Sequence, residues 1–182
     1  HASNKKLDEL LPLSNNHGGD GKVCYFTSNR AYALFYIRDT NINHVTCGID
    51  DNGIPVYYEQ FPQQLKILYG GRSGYIYTVI NHGEIVSGHT KGVWISTQPI
   101  KVTSVSFIKN VYEEMITAES SGEIQIIRYE DLSEEKRLQI IEMICNSILK
   151  HKYISNDCAK SRFIRENFPE AWNMAKEKMK DH

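Results

Sequence analysis

Val23-Cys24-Tyr25-Phe26-Thr27, followed at once by Ser28-Asn29-Arg30-Ala31-Tyr32-Ala33-Leu34-Phe35-Tyr36-Ile37-Arg38, is the stretch on which the fold turns. Its first five residues are mostly β-branched or aromatic and predict a short strand. Ser28 or Asn29 then supplies a side-chain acceptor suited to an N-cap. Ala33, Tyr36 and Ile37 recur at helical spacing, so a helix is expected from about Arg30 to Arg38. A strand running straight into a helix, inside a chain with many further strand signals, points to a mixed α+β architecture.

On the N-terminal side, Lys5 to Leu13 carries leucines at positions 7, 10 and 11 but is interrupted by Pro12, so at most a short turn is expected. Asn15 to Lys22 holds three glycines, two asparagines and a histidine, the composition of a mobile surface loop. On the C-terminal side, Val45 to Ile49 and Ile54 to Glu59 read as a hairpin around Asp50-Asp51-Asn52-Gly53. Asn-Gly tolerates the positive φ angles that tight hairpin turns demand. Pro62 to Tyr69 reads as a short helix stopped by Gly70-Gly71. Strands are expected over 75–80, 93–96, 102–108 and 123–129, and a helix over 110–119.

From Ser133 the pattern changes. Ser133 is a good N-cap, Glu134 and Glu135 suit the first turn, and Leu138, Ile141, Cys145 and Ile148 mark one face of a helix ending near Lys150. Asn156 or Asp157 opens another helix, and Pro169 restarts it through Trp172 and Met179. The expected organisation is an α+β core over 1–130, with a C-terminal helical extension over 131–182 packed on it as one compact unit.

Composition narrows the function classes. Among 182 residues, 41% are hydrophobic and 24% charged, which excludes a disordered chain. Twenty-one basic against 22 acidic side chains leave a net charge of -1, so no strong nucleic-acid signal arises. The apolar runs are too short for a membrane span, and neither a secretion signal nor a membrane partner is expected. The four cysteines, at 24, 47, 145 and 158, form no Cys-x-x-Cys pair. They read as reduced thiols of a cytoplasmic protein rather than as zinc ligands or a disulfide framework.

No Walker loop, Gly-x-Gly-x-x-Gly or Gly-x-Ser-x-Gly turn occurs. His82 and His89, with Glu84 between them, could ligate a metal, but solvent-facing loop residues are the better reading, and no metal is expected. Gly70-Gly71-Arg72-Ser73-Gly74 could let the backbone approach an anion with Arg72 as a phosphate fork, or simply stop a helix. Tyr25, Tyr32 and Tyr36 crowd one strand-helix unit, and Tyr25 stands at a strand end just before a helix, where ligands are often held. Neither Cys47 nor Cys158 has a local motif that would activate it as a hydrolase nucleophile.

Three separated motifs then stand out in order. They are His1-Ala2-Ser3, Val23-Cys24-Tyr25-Phe26 running into Arg30 to Tyr36, and Gly122-Glu123-Ile124-Gln125-Ile126-Ile127. This set resembles the His-Gly-Ser, Gly-x-Tyr-Phe-plus-helix and strand-borne Glu motifs of the diphtheria-toxin-like ADP-ribosyltransferases. The resemblance covers residues 1 to 127 through about fifteen positions. It implies a bent, split mixed β-sheet that grips NAD as co-substrate, and cleavage of the nicotinamide–ribose bond, as in toxin-type members.

By that resemblance Glu123 would hold the nicotinamide-ribose hydroxyl and stabilise the oxocarbenium-like transition state. Tyr25 would stack on nicotinamide, Tyr36 or Phe35 would close its other face, and His1 would bond the adenosine ribose. The Ala2 backbone would meet the carboxamide. Arg30 and Tyr32, and Arg72 from its glycine-rich loop, are further candidate binding residues. Two departures are plain: Ala2 stands where the family usually has glycine, and Ser121 stands where protein-modifying members often carry Gln or Glu. The acceptor of any transfer is left unnamed by the sequence. The alternative is a non-catalytic nucleotide- or protein-binding module on the same scaffold. A third reading is an interaction protein docking through Phe163, Phe168 and Trp172, edged by Arg162 and Arg165.

Overall fold

The computed structural model describes residues 1–39, 41, 42, 44 and 46–180. These form a mixed α+β protein with six α-helices and several small sheets. They divide into two compact units. The first takes His1–Arg38, Cys47–Tyr57 and Leu65–Ile126; the second takes Asp39–Thr46, Tyr58–Gln64 and Ile127–His182. The second unit thus gathers two earlier segments as well as the C-terminal helices.

In the first unit, β1 (Ala2–Ser3), β7 (Gly74–Thr78) and β11 (Ser104–Ile108) form an antiparallel sheet in the order β1-β7-β11. A second sheet has the order β3-β4-β9-β8, built from β3 (Ser14–Asn15), β4 (Lys22–Phe26), β9 (Trp94–Ser96) and β8 (Val86–Ser87). Strands β2 (Glu9–Leu10) and β10 (Ile100–Lys101) pair by themselves. The third sheet, β12-β6-β5, takes β12 (Gln125–Ile127), β6 (Pro55–Tyr58) and β5 (Cys47–Ile49).

Leu10, Cys24, Phe26, Tyr77, Ile85 and Ile100 make a buried cluster in this unit, with Leu7, Tyr75, Val79 and Val102 packed against it. Tyr77 also ties down the N-terminal segment: its hydroxyl donates to the Lys5 carbonyl and accepts from the Leu7 N–H at 2.9 Å. That anchoring explains β2, which the leucine spacing and Pro12 did not suggest.

Several expected elements are present with altered bounds. Helix α1 (Arg30–Leu34) starts under the Asn29 cap, whose side chain accepts from Tyr32 N–H at 2.9 Å. It ends four residues earlier than expected, because Tyr36 and Ile37 turn back onto the carbonyls of Ala33 and Leu34 in i→i−3 bonds. The hairpin of β5 and β6 closes on Gly53, at φ 86°, with Ile54 N–H held by the Asp50 carboxylate at 2.7 Å. Val45, expected to open its first strand, lies outside the described residues. Helix α2 (Gln64–Tyr69) stops at Gly70-Gly71, and Gly71 has φ 68°. Helix α3 (Val111–Ser120) is capped by Asn110.

The stretch 15–22, expected as a loop, instead continues the β3–β4 pairing into a tight turn. Asn16 N–H bonds Gly21 O at 3.1 Å, and Gly21 takes φ 85°.

In the second unit, helices α4 (Glu134–His151), α5 (Ala159–Asn167) and α6 (Pro169–Lys180) pack through Ile144, Cys145, Ile148, Phe163, Ile164, Phe168, Ala171 and Trp172. Phe163, Phe168 and Trp172 are buried here, so they fill this core and do not present a docking face. Ser133 caps α4 as expected. Helix α5 is capped by Cys158 rather than Asn156 or Asp157. The thiol accepts from Ser161 N–H at 3.4 Å, while Ser161 Oγ accepts from Cys158 N–H at 2.8 Å.

The earlier segments are sewn to the helical part by main-chain and buried polar bonds. Glu59 N–H donates to Ile127 O at 2.9 Å, and its buried carboxylate accepts from Tyr129 N–H at 3.3 Å. His44 lies among Phe61, Phe163 and Phe168, with ring centroids 5.5–6.3 Å away, and Lys160 Nζ donates to its Nδ1 at 3.3 Å. Burial first, and the Lys160 charge second, lower its pKa to about 4, against a smaller opposing effect of Gln60.

Two consequences can be measured. A Cβ on Gly74 would lie 2.3 Å from Ile37 Cγ2 and 2.7 Å from the Ser3 carbonyl. Gly74→Ala therefore destabilises by about 1–3 kcal/mol in denaturant melts, since backbone cannot yield as a side-chain end can. His44 is protonated near pH 6.5 when unfolded but only near 4 when folded. Its neutral burial contributes fully above pH 6.5 and is lost as pH falls toward 4, by roughly 3 kcal/mol in all. His44→Leu should flatten that part of the stability–pH curve, read by urea unfolding at each pH.

Candidate functional site

The first two motifs meet through one imidazole. His1 continues β1 by one residue: its main-chain nitrogen donates to Tyr77 O at 3.2 Å, and Tyr77 N–H returns to His1 O at 2.8 Å. With both backbone groups committed to β7, the ring is left to reach β4. Its Nδ1 lies 2.9 Å from the Tyr25 carbonyl and 3.7 Å from Cys24 Sγ, and the ring sits 6.1 Å from both Phe26 and Tyr77.

A carbonyl can only accept, so Nδ1 carries the proton, and in the neutral ring Nε2 is an acceptor. Among the described residues Nε2 has no hydrogen-bond partner. Ala2, opposite Ile76, follows a hydrogen-bonded pair and therefore directs its N–H and C=O away from β7.

Tyr25 projects from β4 beneath the 16–21 turn. Its hydroxyl donates to Asn15 O at 2.8 Å and accepts from His17 N–H at 2.9 Å, and the His17 ring stacks on its face at 5.9 Å with a 24° tilt. The turn is covered in its own right at Gly18, where any Cβ would run into the His89 ring. His17 and Asn15 were not singled out by sequence. The signal was the glycine-rich composition of this turn, which announces a tight backbone but not which ring lies under it.

The α1 aromatics separate. Tyr32 is buried, and its hydroxyl meets that of Tyr36 at 3.1 Å in an edge-on pair with centroids 5.6 Å apart. Cys47 approaches both phenols, and burial pushes its thiol up to about 11, which disfavours the thiolate. Desolvation likewise raises the Tyr36 phenol, although part of its ring is exposed. Phe35 is wholly enclosed, 5.4 Å from the Tyr57 ring and 5.9 Å from Tyr32. Its ring fills the core and offers no ligand face, which leaves Tyr36 as the residue of that pair with a surface.

The charged candidates are engaged elsewhere. Arg30 forks onto Glu114 Oε2 at 3.2 and 3.3 Å, linking α1 to α3 at the surface. Arg72 Nε donates to the Leu68 carbonyl at the end of α2, and its own carbonyl accepts from Val111 N–H at 2.9 Å. The glycines around it therefore stop a helix. Glu123 does not start a strand: β12 begins two residues later. Gly122, at φ 76°, ends α3, Glu123 N–H bonds Ala118 O at 2.8 Å, and the exposed carboxylate accepts from Ser121 Oγ at 2.9 Å. Ser121, noted as a departure from the family pattern, is thus the residue that orients this carboxylate.

His82 and Glu84 form a local turn, with His82 N–H on Glu84 Oε2 at 3.0 Å. Among the described residues no group of three or more His, Cys, Asp or Glu is placed to hold a metal, and no helix is long and apolar enough to cross a membrane. Compared with known proteins, the chain has no significant match to a family model, a curated protein or a solved structure.

Direct bonds therefore bring His1, Ala2 and Tyr25 together, while Glu123, Arg30 and Arg72 are held by separate local partners. Removing the Tyr25 hydroxyl deletes its two hydrogen bonds to the turn. Tyr25→Phe should speed amide exchange at His17 markedly, with a global stability loss of only about 1–2 kcal/mol.

Proposed function

We propose that the chain is an ADP-ribosyltransferase-like protein that binds NAD and cleaves its nicotinamide–ribose bond. The observation that carries this reading is the His1 junction. An imidazole fixed at Nδ1 by the Tyr25 carbonyl presents Nε2 as an acceptor, the group a ribose hydroxyl donor requires. Beside it, the Ala2 main-chain N–H and C=O, buried, turned away from β7 and without a partner among the described residues, are complementary to a carboxamide. The Tyr25 face already accepts a flat heteroaromatic ring, that of His17, so a nicotinamide ring could take the same place.

In the reaction, the ribose C1′–N bond breaks and its electron pair leaves with neutral nicotinamide. The sugar develops oxocarbenium character until a nucleophile adds at C1′. The Glu123 carboxylate, oriented by Ser121, supplies the negative charge that this transition state needs. The bent, split sheet of that superfamily is supported by β1 and β4 lying in different sheets joined at one residue.

A second reading, NAD or ADP-ribose binding without turnover, is favoured by the exposure of Glu123 at a helix end, since a solvated carboxylate stabilises a cation weakly. Nicotinamide release from NAD separates the two. Wild type should release it and Glu123→Gln should lose about 10²-fold or more of the rate with unchanged folding. His1→Ala should weaken NAD binding in calorimetry by about tenfold, the loss of one buried hydrogen bond. Equal nicotinamide release by wild type and Glu123→Gln removes the catalytic role; calorimetry without heat for NAD removes both readings.

A further inference from the structure

We infer that β11 is a self-pairing edge through which two copies of this chain form a symmetric dimer. Strand β11 is the outer strand of its sheet, and four of its five residues are exposed. The register fixes which of its backbone groups are open. Tyr77 exchanges both main-chain bonds with His1, so Ile76 directs its own toward β11, and Ser106, opposite Ile76, answers them. Val105 and Phe107 alternate with Ser106 and point their N–H and C=O outward. Among the described residues nothing pairs with that side.

The sequence of the strand complements itself. Antiparallel pairing about a two-fold axis at Ser106 sets Val105 against Phe107 of the second copy and Phe107 against its Val105. Both are hydrogen-bonding pairs, so four main-chain bonds form with no slip. Residues 102–108 carry no charge, and the nearest charged residues, Lys101 in β10 and Lys109 just past the strand, lie outside β11.

The side chains continue an apolar surface. Phe107 lies 5.3 Å from Tyr75, which packs against the buried cluster, yet Phe107 is 59% and Val105 41% exposed. A strand added at this edge would cover that face of the same core. Open, neutral edges of this kind are templates for strand addition.

Sedimentation equilibrium should show concentration-dependent doubling of the 20.9 kDa mass, abolished by Val105→Lys, which stacks charge beside the axis at an exposed position. Cysteine scanning gives the register. In a pair centred on Ser106 the two Cα atoms lie about 4.5 Å apart, within disulfide reach, whereas the two Ser104 residues are about 13 Å apart. Under oxidation Ser106→Cys should give a covalent dimer and Ser104→Cys no more than wild type. A monomer throughout the soluble range, a dimer indifferent to Val105→Lys, or equal cross-linking at 104 and 106 would each overturn the inference.

Discussion

The bond from His1 Nδ1 to the Tyr25 carbonyl is the constraint on which the first unit depends. It is a side-chain link between two sheets that share no main-chain ladder at this point. Because His1 has already given its backbone to Tyr77, the two sheets meet without merging. The Phe26 and Tyr77 rings flank this partly buried bond, and a hydrogen bond in such surroundings is stronger than one at the open surface. A non-polar residue at this position would leave the Tyr25 carbonyl without this donor at the junction. The same geometry that holds the sheets together leaves the opposite ring nitrogen without a partner among the described residues and turns the Ala2 main-chain groups away from β7.

Elements defined by local chemistry were legible in the sequence. The Asn29 and Ser133 caps, the Asn52-Gly53 turn and the Gly70-Gly71 stop each need only a few neighbouring residues to act, and each stands where the pattern placed it. Elements defined by distant partners were not. Strands β1, β2 and β3 have two residues each, too few for any period, and exist because Tyr77, Ile100 and Val23 offer them edges. Cysteine is not a customary cap, so the start of α5 was invisible until Ser161 was seen to answer it.

Around the candidate site, the sequence located strand β4 and helix α1 but could not assign faces. Phe35 and Tyr36 are adjacent aromatics just past a helix that ends at Leu34. Only the early end of that helix decides that Phe35 faces Tyr57 while Tyr36 keeps a surface. Glu123 was expected on a strand because Ile124, Ile126 and Ile127 follow it. The positive φ of Gly122 delays that strand, and the carboxylate is left at the helix end with Ser121. Arg30 and Arg72 were plausible anion ligands by residue type. Their actual partners, Glu114 and the Leu68 carbonyl, are a distant helix and a helix end that spacing does not reveal.

The two edges of the β1-β7-β11 sheet are thereby unequal, and the inequality limits how the protein can associate. At the β1 edge His1 carries its ring across to β4, so a foreign strand would have to displace an imidazole held on two sides. At the β11 edge only Lys101 and Lys109 stand guard, and they lie beyond the neutral stretch instead of within it. Charges so placed bound the neutral segment that can pair. Within this sheet β11 is the open edge, and pairing it with its own mate uses it up. Such an interface is isologous and closed, whereas two open edges would propagate.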